Sequence, residues 1–256
     1  MELAIQTDSL SRSFGGFRAV KSIGLRVEKG SFYGFLGPNG AGKSTTIKML
    51  TGLLIKSEGD ISVLGRNPSD RKEALEIKSR IGVVPEDLAL FDNLTAREYL
   101  TFTGRMHSME KGLLSGRIDE LLKLLTLDEH EKKLTVEYSH GMKKKLALAA
   151  ALLHDPDLLF LDEPFEGVDA IASRTIRKIL TKYVERGSTV FLTSHVLEIV
   201  ERVCDQVGII VEGELVEQTS LANLGTSGSL EQRFLEVVGT DVEQDAHLSW
   251  LEDAGL

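Results

Sequence analysis

Residues 37–45 read GPNGAGKST, a glycine-rich segment between an apolar run and a helical pattern. Gly37, Gly42, Lys43 and Ser44 fill the spacing G-x-x-x-x-G-K-[ST], which is typical of a phosphate-binding loop. The run at 32–36 predicts a buried strand before the loop, and 44–51 predicts a helix after it. Glycines let backbone amides curve around an anion, and a helix N-terminus favours negative charge. The segment therefore predicts a nucleoside triphosphate site.

We refer to residues 37–45 as the phosphate loop. Lys43 is expected to reach the β- and γ-phosphates, and Ser44 is expected to ligate Mg²⁺. The other positions are expected to surround the phosphates: Gly37, Pro38, Asn39, Gly40, Ala41, Gly42 and Thr45. A glycine-rich surface turn is the competing interpretation, and the flanking strand and helix disfavour it.

A second acidic motif, LLFLDEP at residues 158–164, ends an apolar strand with two carboxylates. Asp162 is expected to hold Mg²⁺, and Glu163 is expected to act on the attacking water. His195 closes another apolar run, 189–193. Because parallel strands end at the same sheet edge, His195 is expected near the γ-phosphate. For each motif the alternative is a purely structural strand end.

Apolar runs alternate with helical patterns through most of the chain, which predicts an α/β fold with a mainly parallel sheet. The other predicted buried strands are 81–84 and 207–211. Short half-polar runs at 3–7, 24–28 and 60–64 predict a small N-terminal antiparallel β subdomain. Residues 88–155 carry helical patterns without a convincing strand, so we predict an inserted helical subdomain there.

Composition is that of a folded globular protein, with 42% hydrophobic and 27% charged residues among 256. The single cysteine, Cys204, excludes an internal disulfide and fits a reducing compartment. The first ten residues lack the pattern of a signal peptide, and no apolar run reaches the length of a membrane span. We therefore expect a cytoplasmic protein that contacts a membrane only through a partner.

Charge is distributed unevenly along the chain. Residues 212–256 hold ten acidic residues against one basic residue, whereas 1–211 hold 29 of each. This predicts an acidic C-terminal extension and argues against nucleic acid as a partner. The lysines at 143–145 are read as a solvated helix face.

With these motifs in this order, residues 3–239 resemble the ATP-binding subunit of ABC transporters. The family signature is replaced by Tyr-Ser-His-Gly-Met at 138–142, in which Ser139 and Gly141 match. The resemblance implies that Ser139 and Gly141 bind the γ-phosphate of ATP held by a second subunit. It places Phe14 against adenine, Asp169 at the dimer interface, and Glu86 where most members have a metal-contacting glutamine.

The resemblance implies a P-loop ATPase at 1–239, with 1–87 and 156–211 as its core, 88–155 as the helical insertion and 212–256 as the extension. It also implies ATP and Mg²⁺ as ligands, and a head-to-tail dimer with an identical or different ATP-binding subunit. The membrane partner is expected to dock near Leu88–Leu94, where Phe91 lies, and to hold the chain at the inner face of the cell membrane. A core edge is the other interpretation of that segment.

Within the family, the segment 91–100 and the tail segment 230–235 favour an exporter. The main alternative is an ABC-type ATPase not coupled to transport, such as one that serves iron–sulfur assembly. A non-catalytic nucleotide-sensing partner is disfavoured because Lys43, Asp162 and Glu163 are all present, together with His195.

Overall fold

The computed structural model describes residues 2–224 and 229–239 and contains two sheets. In chain order the strands are β1 (Leu3–Phe14), β2 (Phe17–Ile23), β3 (Arg26–Glu28), β4 (Phe32–Leu36), β5 (Glu58–Val63), β6 (Ile81–Val84), β7 (Leu158–Asp162), β8 (Thr189–Ser194), β9 (Gln206–Val211) and β10 (Glu214–Ser220). The helices are α1 (Lys43–Leu50), α2 (Arg71–Arg80), α3 (Ala96–Met106), α4 (Lys111–Leu124), α5 (His140–Leu152), α6 (Ala170–Glu185), α7 (Leu197–Val203), α8 (Leu221–Leu224) and α9 (Leu230–Val238).

The larger sheet has six strands in the order β10-β9-β4-β8-β7-β6. Five of them are mutually parallel, and only β10 runs antiparallel to its neighbour β9. All five apolar runs predicted as buried strands belong to this parallel set, which confirms the predicted α/β class. The carboxyl ends of β4, β6, β7 and β8 therefore lie along one edge of the sheet.

Both faces of this sheet are covered, as the near-continuous apolar strands require. In β4, Phe32 and Leu36 join the core that faces the helical insertion. Tyr33 and Phe35, which alternate with them, join the core beneath the N-terminal sheet. The sole cysteine, Cys204, is buried near β4, and burial raises the pKa of its thiol.

The predicted N-terminal antiparallel sheet is present, but its first strand is much longer than residues 3–7. The first half of β1 pairs with β3 and β5, whereas its second half pairs with β2. Irregular register between Leu10 and Ser13 accompanies the change of partner. This extension carries Phe14 to the edge where the phosphate loop lies.

The insertion between β6 and β7 is helical, as predicted, with α3, α4, α5 and two short 3₁₀ turns at Asp128–His130 and Thr135–Glu137. Thr95 and Glu98 form a capping box that begins α3. Helix α5 packs directly on β6, because a side-chain carbon on Gly82 would lie 2.3 Å from the Ala151 carbonyl oxygen. Within the described ranges, no helix combines the length and apolarity needed to cross a bilayer.

The C-terminal extension was predicted to begin at residue 212, but the sheet continues beyond that residue. Residue 212 lies in the tight turn of the β9–β10 hairpin, where Glu212 and Gly213 both have positive φ. The sheet therefore continues to Ser220, and Leu230 of α9 is buried in the core. Residues 240–256, with five of the ten acidic residues of the predicted extension, lie outside the described residues.

Candidate active site

The phosphate loop joins β4 to α1 and depends on glycine at its closest approach. Gly40 and Gly42 have φ of 80° and 106°, in the left-handed region that favours glycine. A side-chain carbon on Gly42 would lie 2.7 Å from the Ala19 carbonyl oxygen, so a larger residue would displace the loop. Lys43 is buried, and its Nζ donates to the Gly37 carbonyl oxygen at 2.7 Å. The predicted order of strand, loop and helix is therefore present.

The three predicted metal ligands lie at the same sheet edge. Ser44 is in the first turn of α1, Glu86 follows β6, and Asp162 is the last residue of β7. Ser44 Oγ lies 3.4 Å from Glu86 Oε2. Asp162 is buried, and its Oδ1 accepts a hydrogen bond from Thr193 Oγ1 at 2.5 Å, because β7 and β8 are in register at these residues. Hydroxyl and carboxylate oxygens are the donors that Mg²⁺ prefers, so this set fits the ion chemically.

Glu163 follows β7 in an unusual backbone conformation. Its φ of 49° is left-handed, which costs a residue with a side chain about 1–3 kcal/mol. Three hydrogen bonds hold the residue there. Its amide donates to Thr193 Oγ1 at 3.1 Å, and its carbonyl accepts from the Glu166 amide and from Lys144 Nζ. In this strained conformation the Glu163 carboxylate points away from the direction in which β7 would continue.

The Glu163 carboxylate pairs with His195. Glu163 Oε2 lies 3.0 Å from His195 Nδ1 and accepts from the His195 amide at 3.3 Å. Glu163 is buried, whereas the His195 ring is half-exposed at the edge of the site. The second ring nitrogen, Nε2, has no hydrogen-bond partner among the residues that the structure describes, so one histidine can contact both the carboxylate and a bound phosphate.

These residues surround a cavity of about 500 Å³, which we call the phosphate cavity. The predicted site residues that line it are Phe14, Asn39, Gly40, Gly42, Lys43, Ser44, Thr45, Glu86, Asp162, Glu163 and His195. Gly37, Pro38 and Ala41 belong to the same loop but do not line this cavity. The cavity thus joins a cationic, amide-rich wall to a wall of carboxylates, a combination suited to a metal-bound polyphosphate.

Phe14 stands at the mouth of the phosphate cavity with 46% of its surface exposed, and the Arg12 guanidinium stacks on its ring at 4.5 Å. Phe17, which sequence reasoning missed, lines the same mouth and is 65% exposed. The two residues pair across the hairpin whose turn is Gly15-Gly16. That dipeptide between two phenylalanines is a hairpin signal that could have predicted the pairing.

Ser139, Gly141 and Asp169 do not line the phosphate cavity of their own chain. Ser139 caps α5, and its Oγ accepts from the Met142 amide at 3.3 Å. Asp169 caps α6, and the hydrogen bond from the Ala172 amide lowers the pKa of its carboxyl group. Gly141 packs closely against the loop that precedes the Asp169 cap, because a side-chain carbon on Gly141 would lie 3.0 Å from the Gly167 carbonyl oxygen. These three residues form a separate surface.

The prediction that 143–145 form a solvated helix face is wrong for Lys144. Its side chain is 2% exposed, and its ammonium group contacts the Glu163 carbonyl and lies 3.7 Å from Glu166 Oε2. Glu166, also missed, lines the phosphate cavity. Three consecutive lysines carry no sequence signal that would identify the buried one without the position of the neighbouring loop.

A second cavity of about 500 Å³ lies between the insertion and the sheet edge at β6. We call it the insertion groove, and Leu88, Ala89 and Leu90 contribute to its lining. His107 and His154 also line it and stack with their ring centroids 3.7 Å apart. Burial lowers the pKa of His154 to about 4, so the ring is neutral at neutral pH. Few charged groups face this groove, so it suits an apolar partner better than a polyphosphate.

Similarity to known proteins agrees with this geometry. A family model described as ABC transporter matches residues 20–166. The bacitracin transport ATP-binding protein BcrA of Bacillus licheniformis is 40% identical over 225 residues, covering 88% of this chain and 72% of BcrA. The linearmycin resistance ATP-binding protein LnrL of Bacillus subtilis is 40% identical over 212 residues, covering 83% of this chain and 68% of LnrL.

A solved structure described as the ATP-binding subunit of an ABC transporter superposes with a TM-score of 0.85. It is 27% identical in sequence, and the alignment covers 91% of this chain and 99% of that one. The likeness therefore extends over both sheets and the helical insertion and is not confined to the nucleotide-binding motifs.

Proposed function

The chain belongs to the ABC transporter family as an ATP-binding subunit that energises a membrane transporter, and we propose that this transporter is an exporter. Two relatives of 40% identity are named for bacitracin transport and linearmycin resistance. Removal of a toxic compound from the cell is the activity that such names suggest for this chain.

One observation carries the ATPase part of the proposal. The phosphate loop, Asp162, Glu163 and His195 meet in a single cavity, although they are spread over about 160 residues of sequence. Lys43 and the loop amides bind the phosphates of ATP. Ser44, Asp162 and Glu86 would hold Mg²⁺, which supplies charge neutralisation on the phosphate oxygens.

Hydrolysis then depends on how the chain's own residues position water and stabilise charge. Glu163 accepts a proton from a water molecule whose oxygen forms a bond to the γ-phosphorus, while the bond from that phosphorus to the ADP oxygen breaks. His195, held by Glu163 at 3.0 Å, contacts the γ-phosphate as negative charge shifts toward its oxygens.

ATP-binding subunits of this family dimerise, and we assign Ser139, Gly141 and Asp169 to the dimer interface. These residues lie outside the cavity of their own chain, and Ser139 and Gly141 begin a helix whose free amides favour an anion. In a head-to-tail pair they would face the γ-phosphate bound by the other subunit. ATP then favours the closed dimer, because it contacts both subunits only in that state.

The family works with a membrane subunit, and we propose the insertion groove and the neighbouring Phe91 as its docking site. Phe91 is 49% exposed and meets the half-exposed Phe102 edge to face at 5.3 Å. Exposed aromatic pairs beside an apolar groove suit the burial of a helix from a partner. Docking there would hold the chain at the inner face of the membrane.

We expect Phe91→Asp to abolish export without abolishing ATP hydrolysis, because a charge at the centre of an apolar interface costs about 2 kcal/mol or more on burial. Cells that express the chain with its membrane subunits are expected to accumulate less bacitracin than cells that lack the transporter. Cells that express the Phe91→Asp variant are expected to accumulate as much bacitracin as cells that lack the transporter. Their washed membranes are expected to retain less of the variant chain than of the native chain.

Val216→Asp is the matched control, since Val216 is an apolar residue of similar exposure on β10, at the sheet edge opposite β6 and the groove. Equal accumulation with and without a working transporter would contradict export of this compound class. Normal membrane recovery of the Phe91 variant would remove Phe91 from the docking site.

The glutamate at position 86 is expected to tolerate glutamine. Glu86→Gln keeps an oxygen for the metal and removes a charge that attracts Mg²⁺ but repels phosphate, so we expect turnover to change less than tenfold, about 1.4 kcal/mol. Glu86→Ala, which removes the oxygen, is expected to cost distinctly more. Turnover of the three proteins at matched Mg²⁺ and Mn²⁺ concentrations tests this. Native behaviour of both variants would show that Glu86 does not touch the metal.

A further inference from the structure

Lys144 is a buried cation that the proposed mechanism does not yet use. It lies between Lys143 and Lys145 on α5, yet its side chain is 2% exposed, against 28% and 12% for those neighbours. Its ammonium group donates to the Glu163 carbonyl oxygen and lies 3.7 Å from Glu166 Oε2. Lysine is almost never fully buried unless it is paired, so this placement requires a reason.

The surroundings of Lys144 are acidic. The carboxylates of Glu86, Asp162, Glu163 and Glu166 all act to raise its pKa, although burial acts more strongly in the opposite direction. Lys144 does not line the phosphate cavity, so it is not placed to bind ATP. Its contacts are therefore with the loop that carries the catalytic carboxylate.

We propose that Lys144 is a positioning residue for Glu163: it holds the left-handed turn after β7 by binding the Glu163 carbonyl, and thereby keeps the carboxylate against His195. This inference rests on the role proposed above for Glu163. Its physical basis is the backbone of the turn, because Glu163 has φ of 49° and the only other donor to its carbonyl among the described residues is the Glu166 amide, at 3.3 Å. Loss of the ammonium group removes one of these two bonds and leaves the carbonyl with the Glu166 amide.

A turn released from its donor can relax toward an ordinary φ, which would rotate the carboxylate away from the position of the water. Misplacement by about 1 Å can lower a rate about 100-fold. Lys144 is also the fifth residue of α5, about 7.5 Å along the axis from the Ser139 cap. The same rigid helix therefore supports Glu163 in its own subunit and presents Ser139 to the proposed dimer interface.

The test compares Lys144→Met, which keeps the apolar stem and removes the donors, with Lys144→Arg, which keeps them. For Lys144→Met we expect kcat to fall about 30-fold with the ATP dissociation constant within about twofold of native. Lys144→Arg is expected to restore most of the turnover. Lys143→Met, which changes a lysine whose one ion pair within the described ranges is with exposed Asp92, is expected to keep native kcat and KM.

A double-variant cycle separates positioning from general stability. In the Glu163→Gln background, Lys144→Met is expected to cause no further loss of single-turnover rate, because the group it positions is already gone. Additive losses, unchanged kcat in Lys144→Met, or a rise in KM alone would each overturn the proposal. If Glu163→Gln keeps full turnover, the proposed function of Glu163 fails instead.

Folding of each variant is followed by thermal unfolding. If Lys144→Met does not fold, Lys144→Gln, which retains an amide donor, takes its place in the same cycle. If neither folds, Lys144 is a stability residue, and the proposal is wrong.

Discussion

Replacing Glu163 with glutamine is expected to lower ATP turnover by at least about 100-fold while ATP affinity stays within about threefold. Glutamine retains the shape and the hydrogen bond to the His195 amide, but it cannot accept a proton from water. The proposed nucleotide contacts are made by the phosphate loop, which the substitution leaves unchanged. Because hydrolysis reopens the proposed dimer, the variant is also expected to accumulate as a closed dimer with Mg-ATP.

Steady-state ATPase rates and equilibrium binding of a fluorescent ATP analogue measure the two effects separately, and sedimentation with Mg-ATP measures the dimer. Glu185→Gln, a change at an exposed glutamate near the end of α6, is the matched control. Native turnover in Glu163→Gln would remove this residue from the role of general base.

Lys43→Ala is expected to weaken ATP binding by about 100-fold, or about 3 kcal/mol, and to abolish measurable turnover at millimolar ATP. Lys43 is buried at the base of the phosphate loop, where its ammonium group binds the Gly37 carbonyl. Alanine removes the one buried cation that lines the phosphate cavity within the described part of the chain. Lys43→Ala is therefore expected to lower ATP affinity, whereas Glu163→Gln is expected to lower turnover and keep ATP affinity.

Lys48→Ala provides the control, because Lys48 lies on the same short helix with its side chain exposed. Calorimetric titration of both variants with ATP measures their ATP affinities and tests the prediction. Normal ATP affinity in Lys43→Ala, with the fold intact by circular dichroism, is incompatible with the phosphate-loop interpretation.

Sequence reasoning predicted the parallel strands and most of the phosphate cavity for a physical reason. Buried strands such as 158–162 are continuously apolar, and the groups at their carboxyl ends must lie on one edge, which brings Asp162 toward the phosphate loop. The insertion was predicted to be helical because residues 88–155 carry helical patterns without a convincing strand, and the structure adds that Thr95 and Ser139 cap α3 and α5.

The features that were missed depend on tertiary contacts or on weak apolar patterns. Helix α2 was not predicted because Ile77 is its only buried residue. The long β1 strand was truncated because its second half pairs with β2 through an irregular register. Lys144 is buried only because the Glu163 turn lies against α5, a contact between residues 19 positions apart.

The buried cysteine bears on how the motion of this protein can be observed. The thiolate is the nucleophile that attacks a thiol reagent, and burial both shields Cys204 and disfavours the thiolate form. Since the chain has no other cysteine, a maleimide dye would react at a cysteine introduced on the surface. Ile171 is strongly exposed beside the Asp169 cap, so dyes at Ile171→Cys in two subunits would sit at the proposed interface. Energy transfer between them would follow each closing and opening in real time without prior removal of the native thiol.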